Sequence, residues 1–156
     1  MNLGSEFAVP HPPETVWRVI SDPRRLASCL PAAVVEAESE SGYEGRATVS
    51  VGPINLALRG RLIILERDER DYRIVLKIRA EERFGQGTVA ATMIVSVSAS
   101  EIGSDIKADA AVQLSGKIAQ FSAPVIKSMS NSIMRKFAKK LGALVATDAA
   151  IHTAAG

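Results

Sequence analysis

Two histidines, one cysteine and a scatter of carboxylates are the residues with which this chain would have to do chemistry. A catalyst needs a nucleophile, an acid–base pair or a metal cluster gathered in a pocket. His11 lies beside a pair of prolines near the start, and His152 lies near the end. With Cys29 as the one thiol, no zinc-type ligand set can be assembled, so no metal site is expected. Cys29 has no partner for an internal disulfide, which fits a reducing cytoplasm, and it reads as a small packing residue rather than a reactive thiol. The carboxylates gather in polar stretches: Glu36, Glu38 and Glu40; Glu66, Asp68, Glu69 and Asp71; Glu81 and Glu82. Solvated turns are the expected place for all of them. No catalytic residue is assigned, and the chain is not read as an enzyme.

The cations are distributed less evenly. The formal net charge is +2, yet no acid lies between Asp109 and Asp148, where Lys117, Lys127, Arg135, Lys136, Lys139 and Lys140 all fall. Arg135, Lys136, Lys139 and Lys140 are the candidates for a contact surface. Three uses stay open for them: solubilising charge, attraction to an anionic membrane surface, or docking on an acidic partner protein. Nucleic acid is not expected, because aromatics make up only 4% of the chain and no base-reading motif is present.

The elements that must position these residues are legible from period and punctuation. At 156 residues the chain suits one domain, and its 47% apolar content is that of a folded protein. No apolar run reaches the ~18 residues of a membrane span, and the start lacks the basic and apolar regions of a signal peptide. A short strand ending at Pro10 precedes "PPETVWRVI", which reads as a helix with Val16, Trp17 and Ile20 on one face. A second short helix follows, with Ser21 or Asp22 as N-cap, Pro23 in its first turn and Pro31 as its stop. From residue 33 to 115 the period is two, and six strands joined by short turns are expected, each with one apolar face. With the first strand they make a curved antiparallel sheet of seven. A turn from Ile118 and a long helix over residues 124–146 should cover its apolar side, with Ile126, Ile133, Phe137 and Leu144 facing inward and Met129 and Leu141 flanking them. Residues 1–147 then form the domain, and 148–156 a frayed tail.

The inward set is aliphatic: Val49, Val51, Leu56, Leu58, Leu62, Ile64, Ile74, Leu76, Ile78, Met93 and Val95 facing Ile126, Met129, Ile133 and Phe137. An ordinary packed core satisfies this pattern. Gly45, Ala47, Gly60 and Ala91 among the inward positions point instead to an underfilled interior. Leu26 and Leu30, with Phe84, Gly85 and Gly87 of the "RFGQG" turn, are the candidates for a pocket mouth.

The stretches "GSEFAVPHPPETVWRVISDPRRLASCLP" (4–31), "VSVGPINLALRGRL" (49–62), "RFGQGTV" (83–89) and "SGKIAQF" (115–121) resemble the CoxG family of carbon monoxide dehydrogenase subunits. This is a branch of the START and Bet v 1-like superfamily. The resemblance implies an α+β helix-grip fold whose long C-terminal helix closes a curved sheet over an apolar cavity. It also implies association with a molybdenum hydroxylase of the carbon monoxide dehydrogenase type, and recruitment of that enzyme to the inner face of the cell membrane. Electrons of such enzymes pass to respiratory quinones. The expected ligand is non-covalent, a quinone (menaquinone or ubiquinone) or another long apolar molecule, bound in the cavity and delivered between the membrane and the hydroxylase. Recruitment without any ligand is the alternative, and a cyclase-like activity is a further one.

Overall fold

The computed structural model describes residues 1–30 and 32–155. Pro31, the expected helix stop, and Gly156 lie outside the described residues, as do the side chains of Val51, Ala154 and Ala155. The order of elements is β1 (Asn2–Val9), α1 (Pro13–Ile20), α2 (Pro23–Ser28), β2 (Val34–Ser39), β3 (Gly42–Val51), β4 (Ile54–Asp68), β5 (Arg73–Glu82), β6 (Thr88–Ser100), β7 (Gly103–Ser115), a 3-10 turn (Gly116–Gln120) and α3 (Ala123–Ala155). The strands form one curved antiparallel sheet in the order β1-β7-β6-β5-β4-β3-β2. Each pairs with its sequence neighbour, except that β1 adds to β7. With α3 against the sheet, this is the α+β helix-grip architecture.

Local chemistry explains the short helices. Pro13 opens α1, where a missing N–H costs nothing. Asp22 caps α2 by accepting from the Arg24 N–H at 3.1 Å, and Pro23 supplies its first turn. α1 packs against α3 and against β6 and β7.

The long helix departs from expectation at its end. It does not stop near residue 146, and residues 148–155 are helical rather than a frayed tail. The cause is Asp148, only 6% exposed, which accepts from Arg18 Nε of α1 at 3.0 Å and Arg25 Nη2 of α2 at 3.1 Å. One carboxylate thus ties the last turns of α3 to both short helices. The buried line of α3 runs through Ile126, Met129, Phe137, Leu141 and Val145. Leu141, expected at the flank, is fully buried, and Leu144 is only partly so.

The core divides into two clusters. The larger joins Val16, Trp17, Val19 and Ile20 of α1 to Ile74, Leu76, Val95, Val97, Ile106, Phe137, Leu141 and Val145. Trp17 stacks on Tyr72 and donates from Nε1 to Glu69, and Phe137 meets Phe7 edge-on at 6.1 Å. The smaller joins Leu56, Ile118 and Met129, with Phe121, Val125, Val89 and Leu114 around them.

Candidate ligand cavity

Between the two clusters the inward strand positions shrink. Gly45 of β3 pairs with Gly60 of β4, and Gly60 with Ala80 of β5, so three adjacent strands carry nothing larger than a methyl in one row. Ala91 of β6 and Ala108 and Ala110 of β7 extend the thin region across the sheet. A Cβ on Gly60 would collide with the Arg79 carbonyl oxygen, so the close strand approach itself requires glycine there.

The result is a hollow of two adjoining lobes. The inner lobe, about 260 Å3, lies between α3 and the sheet. The outer lobe, about 240 Å3, lies between α2 and strands β2–β5 and reaches the surface beside Val34, Glu44, Arg46 and Arg61. Ala27, Leu30, Val49, Leu58, Leu62, Ile78 and Ile133 wall both, so the two lobes lie side by side with shared walls. The aliphatic lining favours apolar guests. Among the described residues the only polar side chains on the inner lobe are Ser5 and Ser130.

Most of the expected wall residues meet here. Val49, Leu56, Leu58, Leu62, Leu76, Ile78, Met93, Val95, Ile126, Met129, Ile133 and Phe137 all line the inner lobe. Ile64 and Ile74 do not: Ile74 is fully buried in the larger cluster and Ile64 packs against it, because α1 fills that end of the sheet. Val51 ends β3, and its side chain lies outside the described residues. Leu26 lines the inner lobe and Leu30 both lobes.

The "RFGQG" turn lines neither lobe, so Phe84, Gly85 and Gly87 are not at a mouth of this hollow. Phe84 points outward, 82% exposed. Gly87 has φ +131°, and a Cβ there would strike the Ser115 carbonyl. The turn is instead packed onto the 3-10 segment, with the Ile118 N–H donating to the Gln86 carbonyl at 2.9 Å.

Sequence reading missed several residues. Leu3 and Ser5 of β1, and Ala110, Val112 and Leu114 of β7, line the inner lobe. Their period-two alternation is visible, but it does not by itself say that the sheet curls far enough to bring β1 and β7 over the hollow. Tyr43 lines the outer lobe, where burial and then the neighbouring Glu38 push its phenol pKa upward.

Glu82, expected in a solvated turn, is buried. It accepts from the N–H groups of Ala57 at 2.8 Å and Phe84 at 2.7 Å. Burial alone would raise its pKa, but these backbone donors, with that of Gln86, outweigh it and hold the carboxyl below its usual range. It is a fastener for the turn and lines neither lobe. The amides of Gln113, Gln120 and Asn131, which could have met the head of a ligand, are all exposed and line neither lobe.

Cys29 is fully buried and donates weakly to the Arg25 carbonyl. Burial pushes its thiol up to about 11, against the opposing pull of Lys140 and Arg25. Lys127, Arg135, Lys136, Lys139 and Lys140 are exposed on α3, and among the described residues none of them forms an ion pair. No helix among the described residues is long and apolar enough to cross a membrane.

Solved structures with the same fold are many. A conserved protein from Geobacillus kaustophilus superposes with a TM-score of 0.83 at 16% identity, covering 94% of this chain and 96% of its own. A START superfamily protein from Mycobacterium smegmatis gives 0.70 at 13% identity, with 94% and 97% coverage. The Zhui aromatase/cyclase from Streptomyces sp. R1128 gives 0.56 at 15%, with 100% and 98% coverage. At such identities the likeness is one of fold, and it defines the class as a START-like helix-grip domain. No curated protein sequence matches. The CoxG family of carbon monoxide dehydrogenase subunits matches residues 5–146, and the chain belongs to that family.

Proposed function

We propose that this protein binds a long apolar molecule in its two-lobed hollow and carries it between a membrane surface and a molybdenum-containing hydroxylase of the carbon monoxide dehydrogenase type. The observation that carries the reading is the hollow itself. It is open to the surface on one side and walled by aliphatic side chains, in a fold where the same sheet and helix could have met in a filled core. Burying apolar surface contributes roughly 25 cal/mol per Å2, enough for a partly enclosed hydrocarbon tail to bind. The family name supports the dehydrogenase as partner, and a respiratory quinone is the apolar molecule such an electron-transfer setting calls for. Arg135, Lys139 and Lys140 on the exposed side of α3 suit an anionic lipid surface, each cation contributing on the order of 1 kcal/mol near it.

Binding is favoured over catalysis because, among the described residues, the polar side chains of the inner lobe are Ser5 and Ser130 alone, and the titratable ones (Tyr43, Glu44, Arg46 and Arg61) line only the outer lobe.

Blocking the hollow tests the proposal. Met93→Trp and Ile133→Trp each place an indole in the inner lobe. Uptake of decyl-benzoquinone should fall at least tenfold in both while the fold is retained by circular dichroism. Uptake that survives both substitutions would move the function to the surface and favour a recruitment adaptor.

A further inference from the structure

We infer that the hollow has a polar notch at its side, between the free edge of β3 and α3, where Ser132 and Lys136 hold the oxygen-bearing head of an amphiphile whose tail lies within. The inference rests on the reading of the hollow as a ligand site and names the chemistry of the ligand's other end.

Strand pairing creates the opening. β2 pairs with β3 only over residues 42–46, whereas β4 pairs with it as far as Val51. Among the described residues, positions 47–51 of β3 therefore have a strand neighbour on one side only, and a free edge presents unpaired N–H and C=O groups. α3 packs against β3. Between the two lies a recess of about 180 Å3 lined by Thr48, Val49, Ser50, Ser132, Ile133 and Lys136. That leaves room for a small polar head.

The recess is joined to the hollow by shared walls. Val49 and Ile133 line the recess and both apolar lobes at once. Both are only partly buried and are the two residues the recess shares with the lobes, so an amphiphile would pass between them. The other walls change character. Ser132 and Lys136 stand one turn apart on α3, on the same face. Among the described residues neither side chain has a hydrogen-bond or ion-pair partner, whereas the Ser50 hydroxyl already donates to Asn55 Oδ1 at 2.6 Å.

An ammonium offers donors and no acceptor, and a serine hydroxyl adds another donor. The pair therefore recognises an oxygen acceptor, either a quinone carbonyl or a fatty-acid carboxylate, both of which come attached to a long apolar tail. Lys136 is set apart by this placement from Lys127, Arg135, Lys139 and Lys140, none of which lines the recess.

The experiment compares three probes of similar chain length: decyl-benzoquinone, decanoate and decylbenzene, which has no acceptor. Each displaces a fluorescent apolar dye from the wild type and from Lys136→Met, Ser132→Ala and Lys77→Met. Lys77 is an exposed cation on β5, away from the hollow, and serves as the control. Losing one charge-assisted hydrogen bond should weaken the headed probe about tenfold in Lys136→Met, with decylbenzene and the Lys77 variant unchanged. The headed probe that loses more, quinone or decanoate, identifies the head. Equal losses for decylbenzene, or unchanged binding of both headed probes, would overturn the notch while leaving the hollow a ligand site. A wild type that takes up none of the three would overturn the ligand reading and the notch with it.

Discussion

Asp148 joins residues that lie far apart in sequence, and its partners set its pH dependence. Burial acts to raise its pKa, but hydrogen bonds from Arg18 and Arg25 outweigh this and hold it below the usual 3.8. A folded-state pKa below the unfolded one means that the contribution is intact above that value and is lost as pH falls through the folded one. Asp148→Asn should cost about 1–3 kcal/mol at neutral pH in a urea melt. The lower half of that range is expected, because both arginine side chains are one-third exposed. The gap between wild type and variant should hold from pH 7 to 5 and close at pH values below about 4. A gap that widens with acid would reject the assignment. Cys29 makes a second prediction at this scale. With its pKa pushed up to about 11, roughly one thiol in a thousand is ionised at pH 8. Native protein should resist a thiol reagent that labels the urea-unfolded chain within minutes, and equal rates would mean an accessible thiolate.

The strands were legible as elements because period two runs unbroken through such sets as Val89, Ala91, Met93, Val95 and Val97. What alternation conveys is the face a side chain takes, not what it meets there. Ile64 and Ile74 alternate just as Leu62 and Leu76 do, yet they sit where α1 fills the sheet, and nothing local to β4 or β5 marks that difference. The same limit hid the end of α3: an acid near a chain end looks solvated, and the arginines that hold it are 130 and 123 residues away. The small inward residues were the legible trace of the hollow. They lead to a paired prediction on stability. In a filled core, enlarging a side chain costs about 1–3 kcal/mol. Val16→Phe, in the packed cluster, should show that cost. Ala91→Leu, on the wall of the inner lobe, should leave the melting temperature unchanged or raise it. Equal destabilisation by both would mean that the hollow is closed in solution.

At the scale of the whole molecule, two features are kept apart. The apolar hollow lies between α3 and the sheet, and Arg135 and Lys139 lie on the opposite, exposed side of the same helix. A single helix can in this way cover a guest with one face and meet a charged surface with the other. The chain belongs to the CoxG family, and on the function proposed above this arrangement shelters an apolar molecule from water. The central claim is that the shelter is occupied in use. Purification without detergent from cells that make a molybdenum hydroxylase of the carbon monoxide dehydrogenase type, followed by solvent extraction and mass spectrometry, tests it most directly. The account predicts an apolar molecule with a long hydrocarbon tail, a prenyl quinone foremost, approaching one per chain. A protein that yields no such molecule and takes up none when prenyl quinone is added would contradict it.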